Sequence, residues 1–278
     1  MSNLKLEIDG HQPSVEELRD AALSSYGHFT AMQVRGGRTR GLALHIARLD
    51  AANRELFGAG LDGDYIRRLI RHALDGWDAG DGRDAGDGGG REGGGAGDAS
   101  LRVVVREPGS DGGAARVFVV VRPPYEMPDA TQRLKSVPYV RTVPHIKRAG
   151  DFGQSYHIDR AAEAGYDDAL LVEADGTVAE AGIANIAFFD GGSVVWPDAT
   201  VLAGITMQLI APRLADHGMP SRTARVALTD VERFSGACVT NSRGIAAVDR
   251  IDDTPVPVAP AFVKALRDAY ASVPWDAI

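Results

Sequence analysis

Hydrophobic and polar positions divide the chain into helical and extended stretches. Residues 42–57 carry Ile46, Leu49, Ala52 and Leu56 at the spacing that lines one side of a helix, and 64–74 reads as another. An earlier helix is predicted to open at Ser14, because Ser14-Val15-Glu16-Glu17 sets the Ser and Glu of a capping box three residues apart. Residues 28–35 read as a strand, and Gly36-Gly37 as the hairpin turn into a second. Residues 101–106 and 116–122 are β-rich runs joined by a Gly/Ser/Asp turn.

Beyond Pro123-Pro124 and Pro128, which break regular structure, the pattern changes to short strands, turns and helices. Residues 151–163 read as a helix ended by Gly165, and 169–173 and 186–189 as strands with turns at Asp175-Gly176 and Asp190-Gly191-Gly192. The clearest helices are 205–216 and 259–272. Helices segregated from largely antiparallel strands imply an α+β fold. The prolines suggest two domains, 1–122 and 136–278, with a linker at 123–135. Residues 76–98 hold eleven glycines among 23 residues and almost no apolar side chains, so a flexible insertion is expected there.

Composition narrows the function. The chain has 278 residues, is 44% hydrophobic and 24% charged, and carries a net charge of −8, which suits a well-buried core and small-molecule partners and argues against a broad nucleic-acid face. One cysteine, Cys238 in an apolar run, excludes an internal disulfide framework and a cysteine-rich metal site; a buried, inert thiol and no metal are expected. No signal-like N-terminus and no apolar run long enough to span a membrane is seen, so a cytoplasmic protein without a membrane partner is expected.

Lysine usage points to chemistry. There are four lysines against 26 arginines, and an amine that must lose its proton to attack a carbonyl cannot be replaced by guanidinium. Lys147, in Pro144-His145-Ile146-Lys147, lies 33 residues before Glu180. Glu180-Ala181-Gly182-Ile183-Ala184-Asn185 follows, then Leu202-Ala203-Gly204-Ile205-Thr206, then Thr240-Asn241-Ser242, with His45-Ile46-Ala47-Arg48-Leu49 upstream. Ile205 and Thr206 open a predicted helix, so their N–H groups, with the Thr206 hydroxyl, are candidate donors to an anion.

In this order and spacing the blocks resemble the class IV, fold type IV, pyridoxal-phosphate enzymes, which include branched-chain and D-amino-acid aminotransferases and aminodeoxychorismate lyase. The resemblance runs from residue 45 to about 252. It implies a two-domain α+β fold with pyridoxal 5'-phosphate in the interdomain cleft, a homodimer, and amino transfer between an amino acid and a 2-oxo acid through a Schiff base on Lys147, the same lysine moving the α-proton. It implies Glu180 at the pyridine nitrogen, Asn185 orienting the Glu180 loop, and a phosphate site from Arg48, Ile205, Thr206, Asn241 and Ser242. Phe29 and Arg106 are the substrate-side candidates. Two positions depart from the pattern: Phe152 stands where relatives of the branched-chain type place a tyrosine, with Tyr156 as the nearest substitute, and Ala203 stands for a proline. A lyase that eliminates pyruvate, or an inactive binding homologue, are the rival readings.

Overall fold

The structure is a computed structural model that describes residues 4–77, 97–108 and 113–278. Most of the glycine-rich segment 76–98, expected to be a flexible insertion, lies outside the described residues, as do residues 109–112, where a turn is expected. The chain runs β1 (Lys5–Ile8), α1 (Val15–Leu23), β2 (Gly27–Val34), β3 (Arg38–Thr39), α2 (Leu42–Phe57), α3 (Gly63–Leu74), β4 (Ala99–Pro108), β5 (Ala115–Arg122) and β6 (Gln132–Pro138). It continues with α4 (Phe152–Glu163), β7 (Asp168–Val172), β8 (Val178–Ala181), β9 (Asn185–Phe189), β10 (Val194–Pro197), α5 (Ile205–Ile210) and β11 (Ser221–Ala224). The last elements are β12 (Gly236–Asn241), β13 (Gly244–Ile251), β14 (Thr254–Pro255), α6 (Pro260–Ala271) and β15 (Asp276–Ala277).

Two compact units form. The first takes the chain to Tyr125, together with Lys147–Gly150 and Trp275–Ile278; the second takes Glu126–Ile146 and Asp151–Pro274. The stretch 123–135, expected to be a linker, is thus divided between the units, and its last residues already belong to β6.

The first unit is an antiparallel sheet in the order β1-β5-β4-β2, with α2 and α3 on one face. Alternation in the strands decides which residues face the helices: Thr30, Met32 and Val34 of β2 and Leu101, Val103 and Val105 of β4 are buried. The capping box at Ser14 forms as its sequence demands, the Ser14 hydroxyl accepting from Glu17 N and the Glu17 carboxylate from Ser14 N. α2 has the expected ends, and its expected face is met in part: Leu49 and Ala52 are buried and Ile46 packs against the core from its edge. Leu42, His45, Leu49, Ala52 and Asn53 are its buried residues, while Ile46 and Leu56 lie at the margin. Two polar side chains point inward because each has a job: His45 binds Thr30, and Asn53 donates to the Ala59 carbonyl at 2.8 Å.

The second unit is a sheet in the order β11-β10-β9-β12-β13-β6-β7-β8, with β14 paired to β13. Its β6 pairs with β13 and β7 are parallel, and the β9–β12 and β12–β13 pairs antiparallel. One core, around Leu134, Ile186, Phe188 and Val239, lies on one side, and a second, around Trp196, Ile210, Phe262 and Leu266, packs α5 and α6 on the other. The helix expected over 205–216 is α for only six residues and continues as 3-10 over Ala211–His217. Pro212 is the cause, since it lacks the N–H that an α-helix would direct to the Gln208 carbonyl. Cys238 is buried and its thiol pushed well up by desolvation.

Candidate active site

Lys147 is presented by the first unit. The Lys147–Ala149 backbone pairs with the edge of β2, Phe29 N donating to Lys147 O at 2.8 Å and Ala149 N to Gly27 O at 2.9 Å. Strand pairing fixes the direction of the side chain, and the ammonium lies 4.9 Å from the centre of the Phe29 ring. Arg102, on β4, stacks on the same ring at 4.1 Å. Arg106, the arginine expected to clamp substrate, is four residues on; its guanidinium donates to the Ser24 carbonyl instead. Arg102 went unremarked in the sequence, although i, i+4 spacing on a strand puts it on the same sheet face as Arg106.

Opposite Phe29 in the alternation, Thr30 faces α2 and joins a buried chain. Arg48 donates through Nη2 to Thr30 Oγ1, which leaves the hydroxyl proton for His45 Nδ1 at 2.6 Å. Burial holds His45 well below the usual histidine range and therefore neutral, with the Arg48 charge acting in the same direction. Arg48 itself is lowered to about 10 by desolvation; its Nε has no partner, and no carboxylate pairs with it among the described residues. A desolvated cation without a counter-ion is the arrangement expected where an anion is to bind.

The second unit holds the carboxylate. Glu180 lies in β8, where the register against β7 shifts by one residue: Leu170 opposes Ala181 and Val172 opposes Val178. The extra residue bulges β8 and re-aims the side chains around Glu180, all four residues of the strand being buried. Glu180 Oε1 pairs with Arg141 Nη1 at 3.1 Å, each side chain 5% exposed, and Oε2 accepts from Leu202 N at 3.3 Å. Arg141 also donates to the Ile146 carbonyl at 3.1 Å, the residue before Lys147. Nothing in the sequence marks Arg141, one arginine among 26.

Asn185, opening β9, holds the same segment from its other side, Nδ2 donating to Leu202 O at 2.7 Å. Its Oδ1 lies so close to Gly204 that a Cβ there would approach to 1.9 Å, so only glycine fits. Glu180 and Asn185 together clamp the peptide groups of Leu202, three residues before Ile205 and Thr206 start α5. The N–H groups of this first turn have no partner inside the helix. The Thr206 hydroxyl donates to Asn241 O at 2.8 Å, so its proton is committed. Asn241 is occupied as well, its amide reaching Ile183 O at 3.4 Å and its Oδ1 accepting from Arg243 N at 2.8 Å; Ser242 lies in the turn this bond closes. Thr240, in contrast, is 1% exposed and its hydroxyl has no partner. Phe152 is 85% exposed at the start of α4, its ring against Tyr156.

A lysine above an aromatic ring and an arginine without a counter-ion in the first unit, and a buried carboxylate clamped to the turn before a helix in the second, are the chemically distinctive groups of the chain. Their sequence context identifies the family. The model for amino-transferase class IV matches residues 27–251, and the chain belongs to that family. It is 34% identical over 109 residues to a probable branched-chain-amino-acid aminotransferase of Rickettsia felis and 33% identical over 109 residues to that of Rickettsia conorii, each match spanning 38% of this chain and 38% of the relative's length. Among solved structures, the apo form of a hypothetical aminotransferase from Mycobacterium tuberculosis superposes with a TM-score of 0.81 at 19% identity, covering 97% of this chain and 98% of that one. The fold IV-transaminase CpuTA1 from Curtobacterium pusillum gives 0.79 at 19% identity, covering 95% and 91%. The fold is therefore that of the fold-IV transaminases.

Proposed function

We propose that this chain is a pyridoxal 5'-phosphate-dependent aminotransferase that moves an amino group between an amino acid and a 2-oxo acid. The observation that carries the reading is Lys147 held on the Phe29 ring in a chain whose family match includes it. Within the second unit the unpartnered Thr240 hydroxyl and the first-turn N–H groups of Ile205 and Thr206 fit a phosphate dianion and Glu180 fits a pyridinium nitrogen; within the first, the Arg48 guanidinium without a counter-ion suits an anion. When bound, the cofactor supplies an electron sink for the substrate α-carbon. Lys147 then accepts and returns the α-proton at Nζ, and Phe29 orients its side chain. Glu180 opposes loss of the pyridine proton, and Arg141 with Leu202 N fixes its two oxygens. Arg102, beside Lys147 on the shared ring, is the better placed of the two strand arginines to bind a substrate carboxylate, with Arg106 tied to Ser24. A homodimer working in the cytoplasm belongs to the same proposal, on the family resemblance, and sedimentation equilibrium tests the assembly.

Borohydride reduction of protein incubated with pyridoxal phosphate, followed by peptide mapping, should place the pyridoxyl group on Lys147; label on Lys135 or Lys264 refutes the assignment. Amino acids of both configurations with 2-oxoglutarate or pyruvate should then yield paired keto-acid and amino-acid products. Glu180→Gln should lower turnover on the order of 100-fold, roughly 3 kcal/mol, without rescue by added cofactor.

A further inference from the structure

The turn that joins β8 to β9 sets the spacing between Glu180 and Asn185, and one buried acid holds it. Asp168, the first residue of β7, is 8% exposed. Each of its carboxylate oxygens takes one backbone N–H: Oδ1 accepts from Ala169 N at 2.8 Å and Oδ2 from Ile183 N at 3.3 Å. Its contact with the turn is close, since a Cβ on Gly182 would lie 2.3 Å from Asp168 Oδ1 and 2.6 Å from Ile158 Cγ1 of α4. The turn's carbonyls are held separately, Gly182 O by Gln154 Nε2 at 2.7 Å and Ile183 O by Asn241 Nδ2 at 3.4 Å. Asp168 touches neither Glu180 nor Asn185, yet both leave the ends of the segment it fixes.

We propose that Asp168 is a positioning residue for the cofactor site: as a carboxylate it locks the Gly182–Ile183 turn and so keeps Glu180 and Asn185 clamped on the two peptide groups of Leu202. The cofactor part of this inference rests on the function proposed above. The geometry requires both oxygens to be acceptors, and a protonated carboxyl or an asparagine offers only one to two N–H groups. The group titrates in an accessible range, desolvation raising it to about 6 against the opposing pull of the two N–H bonds and of Arg243. The groups around it are Arg243 of the β12–β13 turn, the adjacent Asp167, and Gln154 and Ile158 of α4, of which the last two carry no charge.

The test reads amide hydrogen exchange at Ile183 and Leu202 in the protein without cofactor, followed by titration with pyridoxal phosphate. Asp168→Asn should speed exchange at both amides by about tenfold or more, the scale of losing a hydrogen bond to a charged group, with amides of Phe188 and Val248 unchanged. Cofactor affinity should fall by a comparable factor. In the wild-type protein, exchange corrected for its intrinsic pH dependence should rise at the same two amides as pH drops through about 6, which keeps the proposal testable if the variant does not fold. Unchanged Leu202 protection in Asp168→Asn, or wild-type protection flat between pH 7 and 5, overturns it. A wild type that binds no pyridoxal phosphate while Leu202 still responds to Asp168 would defeat the proposed function and leave the positioning intact.

Discussion

Replacing Arg141 by methionine should destabilise the protein far more than loss of a surface arginine. Surface ion pairs contribute about 0.2–1 kcal/mol, but breaking a buried pair costs about 3–5 kcal/mol because the remaining charge stays desolvated. The structure decides between the two cases: both side chains of the Arg141–Glu180 pair are 5% exposed, and the guanidinium also serves the Ile146 carbonyl. The lower figure of about 3 kcal/mol corresponds to a drop in melting temperature of roughly 6–12 °C. Arg141→Lys keeps the charge but not the fork that reaches Glu180 and Ile146 together, so it should fall between wild type and Arg141→Met. The assay is urea unfolding of wild type, Arg141→Met, Glu180→Gln and the double variant. Because Glu180→Gln removes the charge that Arg141→Met strands, the double variant should recover much of the loss, giving a coupling of about 2 kcal/mol. An Arg141→Met cost under about 1 kcal/mol, or strict additivity, would show that the pair is solvated and refute the reasoning.

Arg48→Met should weaken pyridoxal-phosphate retention with rescue by excess cofactor, while the cofactor-free protein gains about 1 kcal/mol in urea unfolding, because an unpaired desolvated cation has been removed; a less stable cofactor-free variant counts against the anion-site reading. His28, 1% exposed, is lowered from 6.5 to about 4, first by desolvation, against a hydrogen bond with Asn53. The unfolded chain therefore takes up a proton at His28 before the folded one does, and stability should fall by about 3 kcal/mol as pH drops from 6.5 through 4, a slope that His28→Phe removes. Helix α1 buries no residue, so Ser14→Ala should cost about 1 kcal/mol locally, seen as faster exchange in 15–23 with little change in global melting. Glu17, held near 2 chiefly by its bonds to Ser14, contributes its share of that cap above pH 4.5 and loses it as pH falls through 2.

Local rules carried the elements whose boundaries are set by local chemistry. The Ser14 box, the Gly36-Gly37 turn and the ends of α2 follow from residues within one turn of each other. The inward face of α2 followed only in part: Leu49 and Ala52 are buried as the stripe implies, but His45 and Asn53 are buried through partners 15 and 6 residues away. Pro212 was visible in the sequence, yet apolar spacing alone continued the α-helix past it. In the candidate site, Lys147, Glu180 and Asn185 were singled out because ordered spacing marks them. Arg141 and Asp168 were not, since an arginine with a partner 39 residues away and one of two adjacent aspartates have no local signature. Arg102 was within reach of strand alternation. The polar residues Asn241 and Ser242 mark a strand end, where the Asn241 side chain also closes its own turn.

The buried polar groups of the candidate site share an energetic character, whether or not the sequence marks them. Arg48, Thr240, Asp168 and the Arg141–Glu180 pair are polar or charged groups removed from water, and each is less favourable than an apolar side chain of similar size would be at the same place. Arg48 Nε in the first unit, and Arg141 Nε and Thr240 Oγ1 in the second, have no hydrogen-bond partner. A fold selected for stability alone would fill such positions with leucine or methionine, as it does elsewhere in the same cores. An anion bound at either place would pair with the atoms left open there, and by linkage its binding free energy adds to the stability of the folded chain. The unmet polar groups are thus stronger signs of a bound anion than any motif, because a motif can persist after its chemistry is lost, whereas an uncompensated buried charge is a continuing cost.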